Sequence, residues 1–267
     1  MEILFSWTSL IIVLHAMLII GVTLRVIMMR LAVGTALAWI FLIFFLPFAG
    51  AAMYLVLGEK RLGRKRTHRA ASLWERYSRW LRALPRLMPD ERSGLSPEAL
   101  AVSRLPEGIL GTPVLPGNRL EIMDAAEPIL HSISADIDRA RYFCHLEFYI
   151  WNAGGTADEV CEALIRAATR GVTCRVLLDA MGSSRFLKSP WIQRLKESGV
   201  EIGVALAVGP WRTLIVRFDL RLHRKIVVID DEIAYTGSFN LVDSRFFKQE
   251  AGVGQWVDAM ARIEGPS

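Results

Sequence analysis

Two long stretches without a formal charge constrain this chain more than any other feature. Residues 3–24 and 31–57 contain no Lys, Arg, Asp or Glu. An α-helix rises about 1.5 Å per residue, so either stretch is long enough to cross a hydrocarbon core about 30 Å thick. The first has no basic residue ahead of it and no small-residue cleavage site, which argues against a removable leader. The expected arrangement is therefore a two-helix transmembrane hairpin over residues 1–58, with Arg25 and Arg30 between its spans and with Pro47 as a tolerated kink. His15 lies mid-span and reads as a helix contact.

Residues 60–92 hold eleven Lys or Arg against three Asp or Glu, and supply most of the formal net charge of +5. Basic residues are retained on the cytoplasmic side, which places the remainder of the chain there and, with two spans, both termini as well. The same residues would rest on anionic head groups. Because topology already explains them, they do not argue for nucleic acid, and none is expected as a partner. Within 60–88, Trp74, Tyr77, Leu81 and Leu84 alternate with arginines at helical spacing, as in a helix lying on a membrane surface or one packed on the following domain. Residues 59–118 thus read as a basic juxtamembrane helix and linker.

Beyond residue 119 the pattern becomes α/β. Helices are expected over 125–140, 157–170 and 191–198, and buried strands over 144–151, 172–178 and 200–208. Residues 216–222 alternate as a half-buried strand. Residues 226–229 and 233–236 form a strand pair turned at Asp230 and Asp231, and 257–263 a last strand. Short links between strands and helices predict a parallel or mixed sheet flanked by helices over 119–267. Cys144, Cys161 and Cys174 lie among apolar residues without metal-ligand spacing, so they read as small core residues; no metal and no cofactor is expected.

The chemistry concentrates in Leu222-His223-Arg224-Lys225-Ile226-Val227-Val228-Ile229-Asp230 and in Thr236-Gly237-Ser238-Phe239-Asn240. In an extended segment His223 and Lys225 point to one side, as do Ser238 and Asn240. Such a set suits a phosphodiester. Lys225, Ser238 and Asn240 would offset the charge on its oxygens, and a neutral imidazole attacks phosphorus near pH 7 and leaves again.

His-x-Lys, four residues to Asp, then Gly-Ser-x-Asn resembles the HKD motif of the phospholipase D superfamily. Pro47-x-x-Gly50, Tyr54-x-x-x-Gly58-Glu59, His145-x-Glu147-x-Tyr149-Ile150-Trp151, the run from Cys174 to Asp179 with Gly182-Ser183, and Gly252-Val253-Gly254-Gln255-Trp256 are similar to bacterial cardiolipin synthases. That resemblance implies an inner-membrane, multi-pass enzyme that converts two phosphatidylglycerol molecules into cardiolipin and glycerol through a phosphohistidine. It implies His223 as nucleophile or its acid/base partner, Lys225, Ser238 and Asn240 on the phosphoryl oxygens, and Asp230 supporting the local geometry. Gly237 would allow close approach, and Glu147 would orient a histidine.

The family carries two such motifs and this chain one. Its five histidines are His15, His68, His131, His145 and His223. Three expectations follow: a piece of a two-motif enzyme, ending before the second motif; a homodimer pairing two copies of His223; or a lipid-binding membrane protein without turnover. A nuclease-type phosphodiesterase is the remaining enzyme alternative.

Overall fold

The computed structural model describes residues 7–58, 71–75, 77–79, 81, 96–111, 115, 117–206, 221–252 and 256–265. They fall into two units, the N-terminal helices up to residue 58 and the residues from 71 onward.

In the first unit, α1 (Trp7–Met28) is one continuous apolar helix, and its Ser9–Met28 portion is long enough to span a bilayer. The expected second span over 31–57 is not one helix. It is divided into α2 (Val33–Phe45), α3 (Pro47–Met53) and a π-helical turn (Tyr54–Gly58), with the break at Leu46. Proline cannot donate a hydrogen bond and its ring clashes with the preceding turn, so α2 stops there. Val22 and Val26 of α1 pack with Ile43 of α2, Ala51 of α3 and Tyr54.

The second unit begins with helical residues 71–75, 77–79 and 81; the rest of the helix expected over 60–88 lies outside the described residues. Helix α4 (Pro97–Leu110) follows. A seven-stranded sheet then forms from β1 (Arg119–Met123), β2 (Phe143–Phe148), β3 (Thr173–Asp179), β4 (Glu201–Ala205), β5 (Ile226–Ile229), β6 (Ile233–Gly237) and β7 (Met260–Glu264), in the order β1-β7-β6-β5-β2-β3-β4. Strands β2, β3 and β4 are parallel, as their helical crossovers require, and the remaining pairs are antiparallel. The mixed α/β architecture is the expected one. Helix α4, within a stretch expected to be loop-dominated, and strand β1 are additions to the expected elements, and the strand expected over 216–222 lies largely outside the described residues, with 221 and 222 irregular.

One face of the sheet is buried by α5 (Ala126–Arg139), α6 (Ala157–Thr169) and α7 (Pro190–Glu197). Alternation along each strand sends Cys144, Leu146, Phe148, Val176, Leu178 and Val227 into this core. The opposite face carries His145, Glu147, Arg175, Glu201, Ile226 and Val228, which line an open hollow of about 530 Å³.

A buried charge ties α5 to the sheet. The Asp136 carboxylate is 1% exposed and accepts from Arg262 Nε at 2.7 Å, from Arg139 and from the Tyr235 hydroxyl. Burial alone would raise its pKa, but these donors outweigh that and hold it below the usual carboxylate value. Removing one partner strands the other charge in the interior. Asp136→Ala is expected to cost about 3–5 kcal/mol of folding stability, checked by chemical denaturation.

Candidate active site

Strand register brings the distant motifs to one edge of the sheet. Ile226 at the start of β5 lies opposite Glu147 near the end of β2 and opposite Thr236 near the end of β6. The residues entering β5 therefore meet those leaving β2 and β6. His223 and Lys225 come in beside Tyr149, and Ser238 and Asn240 follow from the neighbouring strand end.

The His223 ring lies 4.3 Å from the Tyr149 ring, tilted by 34°. Lys225 Nζ is 5.7 Å from the same ring centre and donates to the His223 carbonyl at 3.0 Å. The two motif side chains thus share one aromatic neighbour and one side of the chain. Lys225 is only 8% exposed; burial favours its neutral form, and the net pKa shift is downward although Asp258 opposes it.

Asn240 is fixed by its carbonyl oxygen, which accepts from the Ile150 backbone N–H at 3.0 Å. A backbone N–H can only donate, so the Asn240 amide nitrogen is the end left free to donate elsewhere. Ser238 is exposed, and its hydroxyl oxygen accepts from the Ala259 N–H at 3.1 Å. Gly237 sits where β6 passes closest to β7: a Cβ there would lie 2.2 Å from the Ala259 carbonyl oxygen.

Asp230 lies at the other end of β5. Its backbone is in the left-handed region, φ +55°, and its carboxylate accepts from the backbone N–H groups of Arg141, Tyr142 and Phe143 at 2.7–2.8 Å. It clamps the β5–β6 turn to the start of β2 and so sets the β2–β5 register from the end of the ladder opposite His223, seven residues away along the chain. Glu147 projects onto the open face. Its Oε1 has no hydrogen-bond partner among the described residues, and the structure draws no hydrogen bond between it and a histidine.

Two residues without an assigned role in the sequence reading are central to this edge. Asp179, fully buried at the end of β3, receives the Leu222 N–H on Oδ2 at 3.2 Å, and Arg221 Nη1 stands 3.8 Å from its Oδ1. The same Oδ1 accepts from the N–H groups of Met181 and Gly182, closing a turn that presents Ser183. The Ser183 hydroxyl then donates to the Tyr149 carbonyl and accepts from the Trp151 N–H, both at 3.0 Å. Gly182 lets this turn lie flush on Tyr149, since a Cβ there would come within 2.2 Å of the Tyr149 carbonyl oxygen. One carboxylate thus holds the backbone beside His223 and, through Ser183, the ring against which His223 rests. The only sequence signal was a buried-strand Asp followed by Gly and Ser.

A His-x-Lys entering one strand and a Gly-Ser-x-Asn leaving its antiparallel neighbour, on a mixed sheet with helices on one face, define a phospholipase-D-like domain. Family models agree: residues 133–257 match "Cardiolipin synthase, PLD-like domain" and residues 17–59 match "Phospholipase_D-nuclease N-terminal". The chain belongs to the cardiolipin synthase A family of that superfamily. It is 44% identical over 264 residues to cardiolipin synthase A of Cronobacter sakazakii, covering 98% of this chain and 53% of that protein. The corresponding Escherichia coli protein is 43% identical with the same coverage, and that of Erwinia tasmaniensis is 47% identical over 253 residues, covering 94% and 51%. The chain spans about half the length of the curated relatives it matches. Among solved structures, the phospholipase D family member Nuc from Salmonella typhimurium aligns over 56% of this chain and 86% of its own, at 19% identity and a TM-score of 0.40, too low to add weight.

The Asp230 clamp is testable through pH. Burial alone would raise its pKa, yet the three backbone donors prevail and hold it below the usual carboxylate value. A carboxyl with a depressed folded pKa stabilises fully above its unfolded pKa of about 3.9 and loses that contribution as pH falls through the folded value. Asp230→Asn keeps the left-handed backbone accessible but loses one acceptor oxygen. It is expected to cost about 1–3 kcal/mol at pH 7, with the gap to wild type closing below about pH 4, as measured by denaturation at stepped pH.

Proposed function

We propose that this chain supplies one catalytic half of a phosphatidyltransferase that converts two phosphatidylglycerol molecules into cardiolipin and glycerol at the cytoplasmic face of the inner membrane. The observation that carries this reading is the convergence of His223 and Lys225 on Tyr149, beside the Asn240 amide, at the open edge of the sheet.

In this mechanism an imidazole nitrogen of His223 attacks the phosphorus of the first lipid. The bond from phosphorus to the head-group glycerol oxygen breaks, and that oxygen takes a proton from a general acid. A phosphatidyl-histidine remains. A hydroxyl of the second phosphatidylglycerol gives its proton to that same acid group, now a base, and attacks the same phosphorus, and the nitrogen–phosphorus bond breaks to release cardiolipin and restore His223. Lys225, the Asn240 amide and Ser238 offset the charge that builds on the phosphoryl oxygens. Asp230 and Gly237 keep β2, β5, β6 and β7 in register, and Glu147 serves from the open sheet face as a supporting residue.

The general acid is a second His-x-Lys unit, brought by another polypeptide half or by a second copy of this chain. General acid–base help of this kind is worth about 10²–10⁴-fold, so this half alone should form the intermediate slowly and turn over poorly. The domain organisation proposed with it is a membrane module up to residue 58, a basic linker to 118 and the catalytic domain beyond.

The test is incubation of the membrane-embedded chain with phosphatidylglycerol labelled in its phosphate. Acid-labile label is expected on wild type and absent from His223→Ala. No label on folded wild-type protein that still binds the lipid would favour the alternative, a lipid-binding protein without turnover. Cleavage of a DNA phosphodiester without a lipid product would favour the nuclease reading.

Asp179 enters this mechanism as a positioning residue. In Asp179→Asn one oxygen becomes a donor and the charge facing Arg221 is lost, so the backbone next to His223 shifts. Labelling of His223 is expected to slow by about 10²-fold, the usual cost of a displacement of about 1 Å at a reacting group. Lipid binding, measured on the same vesicles, should be unchanged.

A further inference from the structure

The segment after α1 folds back on itself. Trp39 and Tyr54 are fifteen residues apart and would stand about 22 Å apart along a straight helix. Their ring centres are instead 5.6 Å apart, edge to face. Gly50 lies against the backbone of α2, where a Cβ would come within 2.7 Å of the Leu42 carbonyl oxygen. The reversal falls at Leu46 and Pro47, and Phe48, just past it, lies 6.2 Å from His15 in the middle of α1. Helix α2 has 13 residues, a length of about 20 Å, which stops short of a core about 30 Å thick. At the reversal the Leu46 N–H bonds to the Leu42 carbonyl at 2.9 Å, and Pro47 has no N–H to satisfy.

The exit is closed by Gly58, which packs so tightly on the Tyr54 ring that a Cβ would sit 2.3 Å from it. Tyr54 in turn faces Trp39, on the stretch of α2 that leads back to the α1–α2 turn. Residues 54–58 therefore head for the end of the unit that carries Arg25 and Arg30.

Charge agrees with this path. The residues ahead of α1 contain Glu2 and no Lys or Arg, whereas Arg25, Arg30 and the eleven basic residues of 60–92 all follow it. Two complete spans would put Arg25 and Arg30 on the opposite side of the bilayer from that basic stretch. A re-entrant segment puts every basic residue up to 92 on one side, as the retention of Lys and Arg in the cytoplasm demands.

We propose that α2 and α3 form a re-entrant hairpin seated among the lipid acyl chains, that it enters and leaves on the side of Arg25 and Arg30, and that the chain therefore crosses the bilayer once, through α1. Phe44, Phe45, Leu46 and Phe48 at its tip, all more than half exposed, are the side chains the acyl chains would cover. The residues ahead of α1 then face the periplasm, while the basic linker and the catalytic domain face the cytoplasm.

Single-cysteine labelling of the full chain in intact cells with a membrane-impermeant maleimide decides this, with the wild-type protein, whose three cysteines are buried, as the blank. Glu2→Cys should be labelled in intact cells, and Met29→Cys, on the α1–α2 turn, only after the inner membrane is opened. Two full spans predict the reverse, and that result would overturn the proposal, as would labelling of both positions or of neither from outside. Met28→Cys, 80% exposed, provides a second reporter on the same turn should Met29→Cys fail to insert, and it must give the same answer.

Discussion

A buried carboxylate at the end of β3 organises the reactive edge of this protein. Asp179 is fully buried and so must be met by protein donors. The donors it finds come from two places: the 181–182 turn behind Tyr149, and the 221–222 segment leading into His223. The placing of the Tyr149 backbone and of the segment leading into His223 follows from that double hold. Were the carboxylate replaced by an apolar group, the segments that carry Tyr149 and His223 would lose their common reference.

The sheet supports this arrangement with a division of labour. Its helix-covered face is apolar and carries stability, with Asp136 and Arg262 as a desolvated pair that joins α5 to β7. Its edge brings the motif residues together, where parallel and antiparallel strands meet. Because β2 runs antiparallel to β5 and parallel to β3, the end of β2, the end of β3 and the start of β5 fall together. A purely parallel sheet would have put the start of β5 at the opposite edge, away from Tyr149 and Asp179.

On the re-entrant proposal, the N-terminal unit obeys a different solvent. In hydrocarbon a helix cannot leave backbone groups unpaired, so a reversal needs a residue without an N–H and close packing between the two arms. Pro47 meets the first need and Gly50 the second. The same Pro47 and Gly50 had been visible as part of a family likeness, but counting apolar residues over 31–57 measures length along the chain and is blind to a reversal of direction.

Sequence alone determined the mixed α/β class, the three helices that cover the sheet and strands β3, β5 and β6 to within a residue or two, and the motif from His223 to Asn240, because these depend on local periodicity and on residue types close together in the chain. Tertiary structure alone decided that β1 joins the sheet, that Tyr149 lies against His223 and Asp179 holds the segment leading into it, that Glu147 faces an open hollow, and that the second apolar stretch folds back. Each of those depends on contacts between residues from eight to more than a hundred positions apart, for which strand register and helix packing, not composition, set the distance.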